Sequence, residues 1–311
     1  MRTRTRPRLD KRALFRDVGY SPHPGQVAVH ESSALRRALA CGVRWGKTKC
    51  AVMEIVAALL EPRDKESLGW VVGPDHTVAD RILAQAHAVL EGHVPRRVIS
   101  YRHHALRVRN LAGRLAVAEG RSGENPASLL GEGLDWLVVD EAARLKDEVW
   151  DEHLSQRLVE KRGWAFFLST PRGSNWFYRA FRRGRGEDPA YQSWTGPTWD
   201  NPHIDRAIVE EERSRVTKEV FEQEYGGKFV GPGIPQCEKC GYPRAEHGSF
   251  VLTLMHPEEP GRCSACGHRV LPDGRALAFD DGAGPIEHWI TLIDRKRSVE
   301  PPREVVNGRP C

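Results

Sequence analysis

Residues 38–50 constrain the fold of this chain more than any other stretch of its sequence. Residues 38–41 are small or apolar, which is typical of the end of a buried strand, and residues 42–46 then turn the chain. Lys47 and Thr48 open a segment whose apolar residues have helical spacing. A strand, a glycine turn, Gly-Lys-Thr and a helix form a phosphate-binding loop, in which backbone N–H groups and the helix N-terminus bind the anion.

The chemistry of such a loop predicts roles for its residues. The Lys47 ammonium would bind the β- and γ-phosphates of a nucleotide, and the Thr48 hydroxyl would bind Mg²⁺. Cys41 stands where the G-x-x-x-x-G-K-[ST] pattern has its first glycine, and Gly42 supplies flexibility one residue later. The alternative is an ordinary helix start with a solvated lysine. The predicted loop residues are Gly42, Val43, Arg44, Trp45, Gly46, Lys47, Thr48 and Lys49.

Gln26 lies upstream of this loop, in a segment that Pro22 and Pro24 keep extended. A side-chain amide can pair with both the donor and the acceptor edge of adenine, so Gln26 is a candidate contact to the base. The alternative is a turn residue that caps a helix over residues 27–36.

A second chemical landmark lies at residues 136–141. Residues 136–139 form a continuous apolar run, which predicts a buried parallel strand, and this strand ends in Asp140 and Glu141. Two carboxylates at the end of a buried strand are costly unless a ligand uses them. Asp140 would hold the Mg²⁺ that Thr48 also binds, and Glu141 would polarise the attacking water as general base. The alternative is a strand that ends in two solvated acids.

A third strand is predicted at residues 164–168, and Ser169 and Thr170 follow it. Hydroxyl groups at this strand end would sense the γ-phosphate or the attacking water. A polar strand cap is the alternative.

Length and composition bound the remaining possibilities. A chain of 311 residues suggests two domains, and the net charge of +5 is a mild bias that is compatible with nucleic acid. The sequence contains no run of about 18 apolar residues, so no membrane span is predicted. Its N-terminus has no apolar leader, so we expect a cytoplasmic protein. Residues 1–18 begin with alternating arginines, which predicts a basic arm that is either solvated or in contact with phosphates.

The C-terminal part holds two C-x-x-C pairs. The sequence has seven cysteines, and 22 residues separate the two pairs, slightly more than the usual gap of about 15–20. Four thiolates in this arrangement favour one tetrahedral structural Zn²⁺ site over a catalytic redox pair. The predicted ligands are Cys237, Cys240, Cys263 and Cys266.

Taken together, these residues resemble the ATPase domain of the large terminase subunit, the DNA-packaging motor of tailed bacteriophages. The resemblance runs from about Gly19 to Val230 and depends on the order of six motifs. These are Gly-Tyr-x-Pro-x-Pro-x-Gln at 19–26, Val-Arg-Trp-Gly-Lys-Thr at 43–48, Gly-Glu-Asn-Pro-Ala-Ser-Leu-Leu-Gly at 123–131, Trp-Leu-Val-Val-Asp-Glu-Ala-Ala at 136–143, Leu-Ser-Thr-Pro-Arg-Gly at 168–173 and Phe-x-Gln-Glu-Tyr-Gly at 221–226.

The resemblance implies an α/β P-loop NTPase of the additional-strand type, with a mostly parallel sheet flanked by helices, and a small zinc-ribbon-like module. It implies that Gln26 contacts adenine, that Lys47 binds ATP, and that Ser169 and Thr170 couple hydrolysis to movement. The implied domains are the arm at 1–18, the ATPase domain at 19–230, the zinc module at 231–275 and a tail at 276–311.

The resemblance also implies partners. The family uses an arginine from a neighbouring subunit, for which Arg102 is the first candidate and Arg44 and Arg121 compete. This implies a ring of five subunits on the portal protein of the prohead, in the host cytoplasm, working with double-stranded DNA and the small terminase subunit. The usual nuclease domain would need well over a hundred residues after Val230 and 81 follow, so we expect the nuclease to be a separate polypeptide or the chain to be truncated.

Two other classes of protein remain open. One is a helicase-like DNA-dependent P-loop ATPase. The other is a non-enzymatic zinc-binding adaptor whose loop is vestigial, because Cys41 replaces a glycine.

Overall fold

The computed structural model describes residues 8–230, together with 255–256, 259–263, 305–306 and 309–310. The chain divides into two compact units, Met1–Gly227 and Lys228–Cys311. Beyond residue 230, the described part of the second unit consists of two antiparallel strand pairs, Met255–His256 with Glu259–Cys263 and Val305–Val306 with Arg309–Pro310.

The first unit combines eight strands with helices. The strands are β1 (Arg36–Cys41), β2 (Ser67–Gly73), β3 (Ile99–Arg102), β4 (Ala105–Arg109), β5 (Leu115–Ser122), β6 (Trp136–Asp140), β7 (Trp164–Ser169) and β8 (Tyr191–Gly196). The α-helices are α1 (Lys11–Asp17), α2 (Pro24–Glu31), α3 (Lys47–Leu60), α4 (His76–Glu91), α5 (Ser155–Arg157), α6 (Trp176–Arg183), α7 (Arg206–Arg215) and α8 (Lys218–Glu224). A π-helical turn, Val149–Leu154, precedes α5, and 3₁₀ turns lie at Arg96–Val98, Pro126–Leu129, Ala142–Arg144 and Thr198–Asp200.

One eight-stranded sheet runs in the order β3-β4-β5-β2-β6-β7-β1-β8. Within this sheet, the neighbouring strands β5, β2, β6, β7, β1 and β8 pair in parallel. The pairs β3–β4 and β4–β5 are antiparallel. Strand β7 lies between β1 and β6, as the predicted additional-strand type requires. The predicted α/β architecture with a mostly parallel sheet is thereby confirmed.

Both faces of the central strands are buried, which explains their continuous apolar sequences. Leu39, Phe166 and Val138 belong to the core that α3 and α4 share with the sheet. Phe167 follows Phe166 in β7 and therefore points to the other face of the sheet, where it contacts the rings of Trp150 and Trp176. The three strands that carry the predicted site are therefore held by packing on both sides.

The N-terminal residues differ from the predicted arm. Residues 1–7 lie outside the described residues, but Lys11–Asp17 form α1, capped by the Asp10 carboxylate. Phe15 of this helix is buried against Tyr20 and Met53. Helical structure packed on the first unit therefore occurs before Gly19, because an apolar residue within the basic sequence has a core to pack against. Helix α2 also ends at Glu31, earlier than the predicted helix over 27–36.

A buried ionic network joins this N-terminal segment to α3. The Glu54 carboxylate, 1% exposed, accepts hydrogen bonds from Lys11 Nζ at 2.8 Å and His30 Nδ1 at 2.7 Å, and it pairs with Arg37 Nη1 at 2.7 Å. Tyr20 OH lies 3.2 Å from His30 Nε2. Burial alone would raise the pKa of Glu54, but Arg37, His30 and Lys11 hold this pKa well below its usual value. Burial lowers the pKa of His30, which is therefore neutral in the folded protein.

This network predicts that stability falls as the pH is lowered. The unfolded chain takes up a proton at His30 near pH 6.5 and at Glu54 near pH 4.5, whereas the folded chain resists both protons. Each group therefore stabilises the fold at pH values above its unfolded pKa. As the pH falls below that value, each group lowers the free energy of unfolding by up to about 1.4 kcal/mol per pH unit. Melting temperatures measured from pH 7.5 to 5.5 should fall for the wild type and fall less for His30→Gln. Parallel curves for the two proteins would contradict this role of His30.

Candidate active site

The predicted chemical residues meet at one edge of the sheet. Strands β1, β7 and β6 are neighbours and run parallel, so their carboxyl ends lie side by side. The phosphate loop follows β1, Thr170 follows β7, and Asp140 ends β6. This edge is where open α/β sheets bind ligands.

Lys47 lies at the centre of this edge. Its Nζ donates to the Cys41 and Gly42 carbonyls, each at 2.8 Å, and lies 3.3 Å from Thr170 Oγ1. Burial lowers the pKa of Lys47, and the charges of Glu141, Asp140 and Glu224 oppose that shift. The charges of Asp140, at the end of β6, and of Glu141, directly after it, therefore act on the Lys47 ammonium.

The two acids have different environments. Asp140 is buried, and its Oδ1 accepts the Glu141 N–H at 2.9 Å. Burial and the neighbouring Glu141 charge raise the pKa of Asp140 to about 6. The Glu141 side chain is 38% exposed, and its Oε2 lies 3.7 Å from Arg144 Nε. One acid is therefore enclosed beside the lysine, and the other can reach water.

The N-terminal end of α2 supports the phosphate loop from one side. Gln26 Oε1 accepts the His23 N–H at 3.1 Å, and Gln26 Nε2 donates to the Gly46 carbonyl at 3.1 Å. His23 Nε2 donates to the Trp45 carbonyl at 3.0 Å. Both ends of the Gln26 amide thus have protein partners, so contact with adenine requires Gln26 to exchange them and stays a prediction.

Sequence reasoning missed the residues that support the loop from its other side. Thr198 Oγ1 donates to the Val43 carbonyl at 2.7 Å, and Asn201 Nδ2 donates to the Arg44 carbonyl at 2.7 Å. The Val43 N–H donates to the Glu224 carbonyl at 2.6 Å. The available signals were the polar Thr-Trp-Asp-Asn turn after β8 and the Glu-Tyr-Gly-Gly sequence at the end of α8.

The side chains of two predicted loop residues, Trp45 and Lys49, do not point toward the predicted phosphate site. Trp45 is 1% exposed and packs edge-on against His23. Lys49 places its Nζ 5.8 Å from the centre of the Tyr20 ring, on the side of α1 and α2. These two residues shape the loop and its helix, and any contact they make with a nucleotide would be through the main chain.

The candidate arginines occupy different places. Arg102 is exposed at the end of β3, the edge strand at the opposite end of the sheet from β1 and β8. Arg121 of β5 pairs with Glu119 and lies over the Trp70 ring. Arg44 is exposed on the loop, with a φ of 59°. The structure therefore does not bring Arg102 to the site of its own chain.

The donor atoms at the site fit Mg²⁺. A buried carboxylate, Asp140, and the hydroxyl of Thr48, which opens α3, are the hard oxygen donors that this ion prefers. The zinc prediction cannot be placed in the same way: Cys237, Cys240 and Cys266 lie outside the described residues, and Cys263 ends a short strand.

Within the described residues, no helix combines the length and hydropathy that crossing a membrane requires.

Solved structures of bacteriophage large terminases have a similar fold. The ATPase domain of the Thermus phage P74-26 large terminase superposes with a TM-score of 0.61 at 29% identity, covering 72% of this chain and 100% of that domain. The ADP complex of the large terminase from another thermophilic bacteriophage has a TM-score of 0.58 at 14% identity, covering 67% of this chain and 53% of that protein. The second likeness concerns the fold alone.

Sequence comparison agrees with the structural likeness. The chain is 34% identical over 246 residues to the large terminase subunit of Thermus virus P23-45, covering 70% of this chain and 50% of that protein. It is 28% identical over 234 residues to the large terminase subunit of Escherichia phage T5, covering 71% and 51%. The chain spans about half the length of these curated relatives, and no family model matches it. In sequence and in fold, this chain is therefore similar to the ATPase domain of bacteriophage large terminases.

Proposed function

We propose that this chain is the ATPase of a large terminase, which hydrolyses ATP to move double-stranded viral DNA into the prohead. The observation that carries the proposal is the position of the Lys47 ammonium, which is enclosed at the strand ends between the phosphate loop and Thr170, within the field of Asp140 and Glu141. A cation beside the main-chain amides of such a loop binds the phosphates, and an accessible carboxylate nearby can accept a proton from water.

Each residue of the site has a proposed task. Lys47 neutralises the β- and γ-phosphates, and the main chain from Arg44 to Thr48 holds them. Asp140 and Thr48 hold Mg²⁺, which when bound neutralises phosphate oxygens. Glu141 accepts a proton from the attacking water. Ser169 and Thr170 couple hydrolysis to movement, which is supported by the 3.3 Å contact between Thr170 Oγ1 and Lys47 Nζ.

The proposed assembly is a ring of five copies on the portal protein, in the host cytoplasm, with the small terminase subunit and a separate nuclease as further partners. Arg102 is the proposed arginine that a neighbouring subunit contributes. Its exposed position on an edge strand supports this, because its side chain is accessible to another copy. Duplex DNA is gripped by its phosphates, without sequence readout.

The test of the proposed function compares three activities of the full chain. We expect Mg²⁺-dependent ATP hydrolysis that duplex DNA stimulates, and ATP-driven filling of proheads that carry the portal. Strand separation without packaging would favour a helicase-like ATPase. Absence of ATP binding by calorimetry would favour the non-enzymatic adaptor.

The zinc module is a further part of the proposal, with Cys237, Cys240, Cys263 and Cys266 as ligands and a docking or DNA-contacting role. We expect elemental analysis of the purified chain to find one Zn²⁺ per chain, because a C-x-x-C pair on each side completes a tetrahedral shell. Cys237→Ser should lose the metal, whereas Cys311→Ser, outside the pairs, should retain it. Purified wild type without zinc would contradict the site.

A further inference from the structure

The last residues of the first unit, which ends at Gly227, are hydrogen-bonded to the phosphate loop. We call residues 224–227 the exit segment. The Val43 N–H donates to the Glu224 carbonyl at 2.6 Å, and the Thr198 N–H donates to the Tyr225 carbonyl at 2.7 Å. Thr198 Oγ1 donates to the Val43 carbonyl at 2.7 Å. Three hydrogen bonds thus tie the loop, Thr198 and the exit segment into one closed set, and Thr198 is 2% exposed.

The contact leaves no space for side chains. A Cβ on Gly42 would lie 2.3 Å from the Tyr225 carbonyl oxygen and 2.7 Å from Thr198 Oγ1. Gly227 has a φ of +68°, and a Cβ there would lie 2.5 Å from the Gly196 carbonyl oxygen and 2.9 Å from the Gly42 nitrogen. Main chain therefore touches main chain on this side of the loop, so the loop cannot move toward the exit segment without displacing it. Movement away from it must either break the three hydrogen bonds or carry the exit segment along.

A second connection reaches the other strand end of the site. Arg172 Nη2 lies 3.8 Å from Glu224 Oε1, and Arg172 follows Thr170 by two residues. Thr170 Oγ1 in turn lies 3.3 Å from Lys47 Nζ. The Glu224 charge also acts on Lys47, the cation that the proposed function assigns to the phosphates. Nucleotide phosphates at the loop would therefore compete with the Glu224 carboxylate for Lys47.

We propose that Thr198 and the exit segment position the phosphate loop and respond to its occupation by nucleotide phosphates. The inference rests on the proposed function, because it takes the loop to be the nucleotide site. Phosphate binding draws the loop amides toward the anion and competes with Glu224 for the charge of Lys47. The resulting displacement of the exit segment reaches Lys228, the first residue of the second unit, through the covalent chain.

A matched pair of variants tests the positioning role of Thr198. Thr198→Val keeps the shape of the side chain but removes the hydroxyl that donates to the Val43 carbonyl, and Thr198→Ser keeps this donor. We expect Thr198→Val to weaken ATP binding about tenfold, and Thr198→Ser to bind nearly as the wild type does. A merely structural role would lower the melting temperature of Thr198→Val and leave the Kd of the folded protein unchanged, which would overturn the proposal.

Hydrogen exchange on the full chain, with and without a non-hydrolysable ATP analogue and Mg²⁺, separates this inference from the proposed function. We expect the analogue to change amide exchange both in residues 42–50 and in residues 221–228. A change confined to residues 42–50 would overturn the inference and leave the ATPase standing. No change in either segment would overturn both. A change in the exit segment alone would also contradict the inference, because the signal must pass through the loop.

Discussion

Replacement of Glu141 by Gln is expected to lower the rate of ATP hydrolysis by about 10²–10⁴-fold and to leave ATP binding intact. The amide has the shape of the carboxylate but cannot accept a proton from water. In the proposed site the phosphates are bound by Lys47 and by the main chain of the loop, which the substitution does not touch. Phosphate release measures turnover, and calorimetry measures ATP affinity.

Glu152→Gln is the matched control for this prediction. Glu152 is an exposed acid in the π-helical turn that follows the site along the chain, and the proposed chemistry gives it no task. Its variant should hydrolyse ATP at the wild-type rate. Wild-type turnover in Glu141→Gln, or an equal loss in Glu152→Gln, would remove Glu141 from the mechanism.

The backbone at Glu141 makes Gln the informative substitution. Glu141 has a φ of 52°, in the left-handed region that costs a residue with a Cβ about 1–3 kcal/mol. Gln carries the same Cβ and keeps the N–H that donates to Asp140 Oδ1 at 2.9 Å. A glycine substitution would relax this turn as well as remove the charge. The change to Gln therefore removes the proton acceptor and its charge while leaving the backbone of the turn unchanged.

Much of the fold and of the site follows from local sequence. The apolar run before Asp140, the run from Trp164 to Leu168 and the turn before Lys47 each predict an element that the structure contains, because buried parallel strands need continuous apolar residues. Since these strands run parallel, their carboxyl ends must share one edge of the sheet. The placement of Lys47 and the two acids at the same edge of the sheet was predictable for that reason.

The support behind the loop could not be predicted in the same way. Thr198 lies 155 residues after Val43, and the exit segment bonds to Thr198 and Val43 through the main-chain carbonyls of Tyr225 and Glu224. The local sequences around these residues do not indicate that they pair with one another. The same holds for Gln26, whose amide has protein partners that its sequence context does not indicate. Phe15 within the basic N-terminal residues is a third case, because only the folded core shows what it contacts.

Truncation of Glu54 to Ala is expected to destabilise the first unit by about 3–5 kcal/mol, the largest effect on stability that we predict. Within the part of the chain that the structure describes, Glu54 is the acid that pairs with both Arg37 and His30, and both of these side chains are buried with it. Without the carboxylate, the Arg37 guanidinium remains buried and unpaired beside Trp164 and Phe166. Urea unfolding measures the loss as a lower midpoint.

Two control variants test whether the loss of stability in Glu54→Ala comes from the unpaired buried Arg37 charge or from removing any acid. Glu210→Ala breaks an exposed pair with Arg213 and should cost less than about 0.5 kcal/mol, because solvent screens both groups. The double variant Arg37→Met, Glu54→Leu replaces both buried charges by apolar groups and should recover much of the stability that Glu54→Ala loses. If the double variant were no more stable than Glu54→Ala, the cost would come from lost packing. The unpaired Arg37 charge would then not be its cause.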